Sequence, residues 1–105
     1  MKLITAVISK KDSDTVCQAL TEGGFYFTKM SSSGGFLRSG NTTVLIGTEE
    51  EKVKSAISII REHCSRRTES VSAPIAATAA PGSMSQVVVG GATVFVTPVE
   101  EFEKM

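Results

Sequence analysis

The chain has a single histidine, His63, and only two cysteines, Cys17 and Cys64, set far apart. These are too few and too scattered for a zinc site, which needs closely spaced groups of such ligands. No metal is therefore expected. Net charge is also missing, because eleven basic side chains cancel eleven acidic ones. Bulk attraction to nucleic acid or to a membrane surface is excluded, and any anion site has to be local. Long apolar runs are absent too. The stretch from Leu3 to Ile8 is too short to span a bilayer or to act as a signal segment, and it runs into Lys10 and Lys11. No base stands beside a nucleophile: His63 and Cys64 adjoin in a helical segment, where successive side chains diverge by about 100°. The reading is a reduced, cytoplasmic, non-enzymatic protein.

What is present suits one domain over residues 1–105 with a modest core. Residues 2–8 are nearly continuously apolar and rich in β-branched side chains, as in a central strand covered on both faces. Asp12 or Ser13 is placed to cap a helix over about 12–22, with Val16, Ala19 and Leu20 at helical spacing, and Gly23-Gly24 to end it. Strands are expected at 25–30 and 42–46. Thr48 and Glu51 have capping-box spacing ahead of a second helix carrying Val53, Ala56, Ile57, Ile60 and Cys64. The acidic start of that helix at Glu49–Glu51 and its basic end complement the helix dipole. Glu100 and Glu101 read as surface charge, and Phe25, Phe27 and Phe95 as core aromatics.

Residues 68–85 are dominated by small residues and read as a long mobile loop, with a short strand at 70–73. Residues 86–96, interrupted by Gly90-Gly91, read as a hairpin or a bulged strand. The order strand, helix, strand, strand, helix, strand is an α+β, ferredoxin-like βαββαβ plan. Two helices cover only one face of a four-stranded sheet, yet the strands carry apolar residues on both faces. The second face needs a partner, and a homo-oligomer packed through its sheets is the economical solution.

The segment SSSGGFLRSGNTT, residues 31–43, joins two of these strands. Gly35 and Gly40 have the spacing of a phosphate-binding P-loop, but Asn41 stands where that motif has lysine, and a P-loop must lead into a helix. It is not an NTPase loop. Paired glycines still let consecutive backbone N–H groups face one concavity, and Arg38 adds a guanidinium for phosphate. The alternative is a solvated hairpin loop, for which an exposed Phe36-Leu37 pair is unusual.

With the loop in that context the chain resembles the PII-like cyclic-di-AMP receptor family. The likeness is carried by MKLI at 1–4, Thr28-Lys29, SGGFLRxGNTT at 33–43, LIG at 45–47, API at 73–75 and VGGATVFVxPV at 89–99, where x marks a position outside the match. It spans the whole chain, with 68–85 shorter than is usual there. The resemblance implies a homotrimer without catalytic activity, binding cyclic di-AMP in clefts between subunits and signalling to a downstream protein through rearrangement of the loop after the second helix. The matching ligand-binding positions are Thr28, Gly35, Phe36, Leu37, Asn41, Gly47 and Phe95, joined on chemical grounds by Gly34. Tyr26 and Arg38 are secondary candidates. Glycine N–H groups and Asn41 suit phosphates and base edges, and Phe36, Leu37 and Phe95 suit purine surfaces. Three positions depart from the family pattern: Gly24 replaces a common asparagine, Tyr26 an arginine, and Lys104 stands near a glutamine. An altered nucleotide preference, for ATP or ADP, or an adaptor that has lost its ligand, are the alternatives these departures raise.

Overall fold

The computed structural model describes residues 1–32, 40–64, 67–71, 85–89 and 91–105. Among these, the elements are β1 (Lys2–Ser9), α1 (Lys10–Glu22), β2 (Phe27–Ser32), β3 (Asn41–Thr48), α2 (Val53–His63), β4 (Arg67–Val71), β5 (Ser85–Val89) and β6 (Ala92–Pro98). The apolar β1 is internal as expected, in an antiparallel sheet of order β2-β3-β1-β6. Placing the last strand beside the first and β3 between β1 and β2 is the arrangement compatible with a ferredoxin-like fold.

Strict alternation divides the sheet. Ile4, Ala6 and Ile8 of β1 and Thr42, Val44 and Ile46 of β3 are buried on one face. Val16 and Leu20 of α1 and Ala56 and Ile60 of α2 close over it, with Phe25 and Cys64 completing the core. Among the described residues the helices occupy one side of this sheet, in a two-layer arrangement.

Helix α1 starts earlier than the sequence reading has it. Ser9 is the N-cap, its hydroxyl oxygen accepting from the Lys11 N–H at 3.3 Å. β1 passes into the helix without a linker, so the cap falls upstream of Asp12 and Ser13. Both are buried in the first turn, where the Ser13 hydroxyl donates to the Lys10 carbonyl at 2.9 Å. The C-terminus closes with a Schellman motif: Phe25 N–H donates to Leu20 O at 2.9 Å and Gly24 N–H to Thr21 O at 3.0 Å. The motif holds Gly24 at φ +83°, the left-handed region that glycine occupies without cost. The turn also delays β2, which runs over Phe27–Ser32 rather than 25–30.

The expected capping box before α2 is not formed. Thr48 is the buried last residue of β3, and a 3-10 turn at Glu50–Lys52, led by Glu49 with no side-chain cap bond, feeds the helix. At the far end the His63 Nδ1–H donates to the Ile59 carbonyl at 2.8 Å, so the histidine is committed to its own helix.

The expected loop at 68–85 is corrected at both ends. β4 and β5 pair antiparallel, Arg67 opposite Val89 and Val71 opposite Ser85, as a sheet of their own. An antiparallel ladder is satisfied through its backbone and needs no large core residues, so the small-residue composition did not fix where the strand begins. The short strand expected at 70–73 falls at 67–71, and residues 72–84 lie outside the described residues. Residues 86–96 are not one hairpin: β5 pairs with β4, whereas β6 pairs with β1.

Candidate functional site: the sheet face away from the helices

The second face of the sheet is built by the other parity of the same strands. The register aligns Phe95 of β6, Thr5 of β1, Leu45 of β3 and Thr28 of β2 in one row across the sheet. The neighbouring row toward the start of β1 runs Thr97, Leu3, Gly47, and the row on the other side runs Thr93, Val7, Thr43, Met30. In this chain Leu3, Thr5, Val7, Thr43 and Leu45 are half-buried, Thr28 is exposed, and Phe95 is 56% exposed. None of these side chains is charged. Lys29, with the opposite parity to Thr28, turns to α1 and pairs with Asp14 at 3.2 Å. Among the described residues the face therefore offers hydroxyls, an amide and apolar surface but no cation.

Thr28, Asn41, Gly47 and Phe95, four of the positions that the resemblance singles out, all share this face. They do not converge. Phe95 and Thr28 are three strand spacings apart, about 14 Å, and Gly47 and Asn41 are six residues apart on one strand, about 20 Å. A ligand reaching more than one of them has to be extended, or held between this face and a second surface. Gly34, Gly35, Phe36, Leu37 and Arg38 lie outside the described residues. Tyr26 is 90% exposed just before β2. Lys104 belongs to an exposed C-terminal tail without helix or strand. Thr5 and Leu45, which link Phe95 to Thr28, are not singled out by the sequence reading, because only the register reveals them.

Gly47 is a notch. A Cβ built there meets nothing within 4 Å, and its φ is not in the left-handed region. Neither the backbone nor packing within the chain requires a glycine, while a glycine inside a strand weakens it.

Away from this face, Cys17 is half-buried, and its thiol is pushed up by burial, partly countered by the Lys29 ammonium, with Asp14 adding to the rise. A proton-loaded thiol is a poor nucleophile. Among the described residues no group of three or more His, Cys, Asp or Glu side chains is placed to hold a metal ion, and no helix is long and apolar enough to cross a membrane.

With this geometry in hand, the comparison with known families is decisive: the model of the cyclic-di-AMP receptor family matches residues 1–105, the whole chain. The chain belongs to the cyclic-di-AMP receptor family. A similar solved structure supports the fold: a functionally unknown protein from Pediococcus pentosaceus is 38% identical, with a TM-score of 0.78 over 99% of this chain and 96% of that one. Membership of the cyclic-di-AMP receptor family implies a binding and signalling role.

Proposed function

We propose that this protein is a cytoplasmic, non-enzymatic receptor that assembles as a homotrimer through the uncharged sheet face and binds cyclic di-AMP in clefts between subunits. The observation that carries this reading is the placement of Thr28, Asn41, Gly47 and Phe95 on one open face. A single chain offers there a surface and not a pocket, so the ligand needs a second copy to close over it. Residues 33–39, joining β2 to β3, supply one wall, with Gly34 and Gly35 toward phosphate, Phe36 and Leu37 against a base, and Arg38 as a further cation. The excursion between α2 and β6 relays binding to a downstream protein. Such a relay requires ligand to favour one of its arrangements over another.

A second reading, a trimer tuned to another nucleotide such as ATP or ADP, or one acting as a ligand-free adaptor, is favoured by Gly24 and Tyr26. The two readings separate in a thermal-shift panel of cyclic di-AMP, cyclic di-GMP, ATP and AMP. Ligand at 100 times its dissociation constant stabilises the folded state by about 2.7 kcal/mol, a rise of several degrees in Tm. A shift with cyclic di-AMP is expected. Shifts with ATP alone, or none, would replace this reading with the second.

A further inference from the structure

The helices stop short of β6, the edge strand. Its residues Ala92, Val94 and Val96 stand opposite Ile8, Ala6 and Ile4 of β1 and share their face of the sheet. Those β1 side chains are buried beneath the helices, yet Val94 is only half-buried, Ala92 is exposed and Val96 is 40% exposed. The result is a groove of about 590 Å³ between β6 and α2, whose other wall is Ile57, Ile60 and Cys64. Arg61 is the one charged side chain among the described residues that line it, and Lys54 lies two turns earlier on the same stripe of α2. No strand among the described residues pairs with the outer edge of β6, and residues 92–98 carry no charge. An apolar trough with a cationic lip and a bare strand edge fits an extended, acidic segment with an apolar anchor.

The chain carries such a segment. Residues 99–105, VEEFEKM, set Glu100, Glu101 and Glu103 against Lys104 alone. Phe102 is 65% exposed, Met105 is fully exposed, and the segment forms neither helix nor strand. Neither of these side chains lines the groove of its own chain. The Val99 N–H donates to the Met1 carbonyl at 3.1 Å, which extends the β1–β6 ladder by one step and carries the tail past the end of the sheet. The groove lies back along β6, in the opposite direction. We infer that the acidic C-terminal arm of one copy docks in the α2–β6 groove of a second copy, with Phe102 as its anchor and its carboxylates toward Arg61. An arm that leaves one copy and enters the next is a head-to-tail contact, of the kind that closes into a ring. It goes beyond the receptor reading, needing a second copy but no ligand. Cys64 and Ala92 both line the groove, and the Cys64 carbonyl accepts from the Gly91 N–H. A seated arm therefore packs against the base of the excursion between α2 and β6.

The chain has no tryptophan, so F102W makes the arm its own reporter. The F102W oligomer should emit at the short wavelength of an indole out of water. Adding A92E, a carboxylate at an exposed position of the groove, should return the emission to that of a solvated indole with circular dichroism unchanged, and R61E should do so in part. F102W/A92E has a sound arm and a blocked groove, whereas F102A has a sound groove and no anchor. Co-expressing the two, and isolating mixed oligomers through a tag on each, should restore the short-wavelength emission. F102A alone should weaken self-association in sedimentation by about tenfold, the loss of one buried aromatic anchor. Solvated emission from F102W oligomers, or F102A associating as tightly as the wild type, overturns the inference. Short-wavelength emission that survives A92E also overturns it, because the arm is then buried elsewhere. Solvated emission from the mixed oligomers denies the contact between copies. A monomeric wild type overturns this inference together with the homotrimer, whereas a docked arm without cyclic-di-AMP binding removes only the receptor reading.

Discussion

Replacing Leu45 by glutamate is expected to break the proposed trimer into folded monomers. Leu45 lies in the middle of the row from Phe95 to Thr28, half-buried within a single chain. Covering its remaining surface in an assembly contributes about 1 kcal/mol per chain, which the substitution removes. The glutamate also brings a carboxylate into the contact, and no side chain of that face described above carries a positive charge to pair with it. An unpaired buried charge costs several kcal/mol, so three copies together disfavour the trimer by about 10 kcal/mol. At a factor of ten for every 1.4 kcal/mol, no trimer survives at micromolar concentration. Within the isolated chain the side chain has solvent beside it, so the monomer loses only about 1 kcal/mol. Light scattering after size exclusion should give three times the 11.1 kDa chain mass for the wild type and one chain mass for L45E, with matching circular dichroism. A trimeric L45E, or a monomeric wild type, would refute the reasoning that this face is the contact.

Three other outcomes follow from particular side chains. A Cβ at Gly47 meets nothing within 4 Å among the described residues, so urea denaturation of Gly47→Leu should show a largely undiminished fold, whereas calorimetry should show lost cyclic-di-AMP binding. Ile60→Ala, at a core position 1% exposed, should lower unfolding free energy by about 2–5 kcal/mol in the same urea measurement. Cys17 has a raised thiol pKa and Cys64 is buried, so alkylation of native protein should be slow at Cys17 and absent at Cys64 until denaturant is added. The sign for stability follows. Because the folded state holds the Cys17 proton more tightly than the unfolded chain does, the contribution is full below the ordinary thiol pKa and is lost as pH rises through that of the folded state.

The fold was legible where alternation or helical spacing is strong. β1 is nearly all apolar and proved internal, and α2 carries Ala56 and Ile60 into the core as its spacing requires. The misplacements are local and share a cause: several polar residues compete for one cap, and only tertiary placement decides among them. Ser9 won over Asp12 and Ser13 because β1 runs straight into α1. Thr48 has the right spacing for a cap but is held by β3. β4 was expected as a short strand at 70–73 and lies three residues earlier, at 67–71, where it pairs with β5. Of the candidate site, the strand residues Thr28, Asn41, Gly47 and Phe95 are singled out by the family resemblance alone, and the register shows that they share one face. Thr5 and Leu45 had no motif to mark them, since a threonine and a leucine in a strand are ordinary until their cross-strand neighbours are known.

The central claim is tested most directly by calorimetric titration of cyclic di-AMP into the wild-type protein, read for stoichiometry. Clefts shared between neighbouring subunits of a three-fold ring number one per chain, so the account predicts saturable binding of one ligand per chain, three per trimer, abolished together with the trimer in L45E. No heat at high micromolar ligand, or equally tight binding by monomeric L45E, would contradict it.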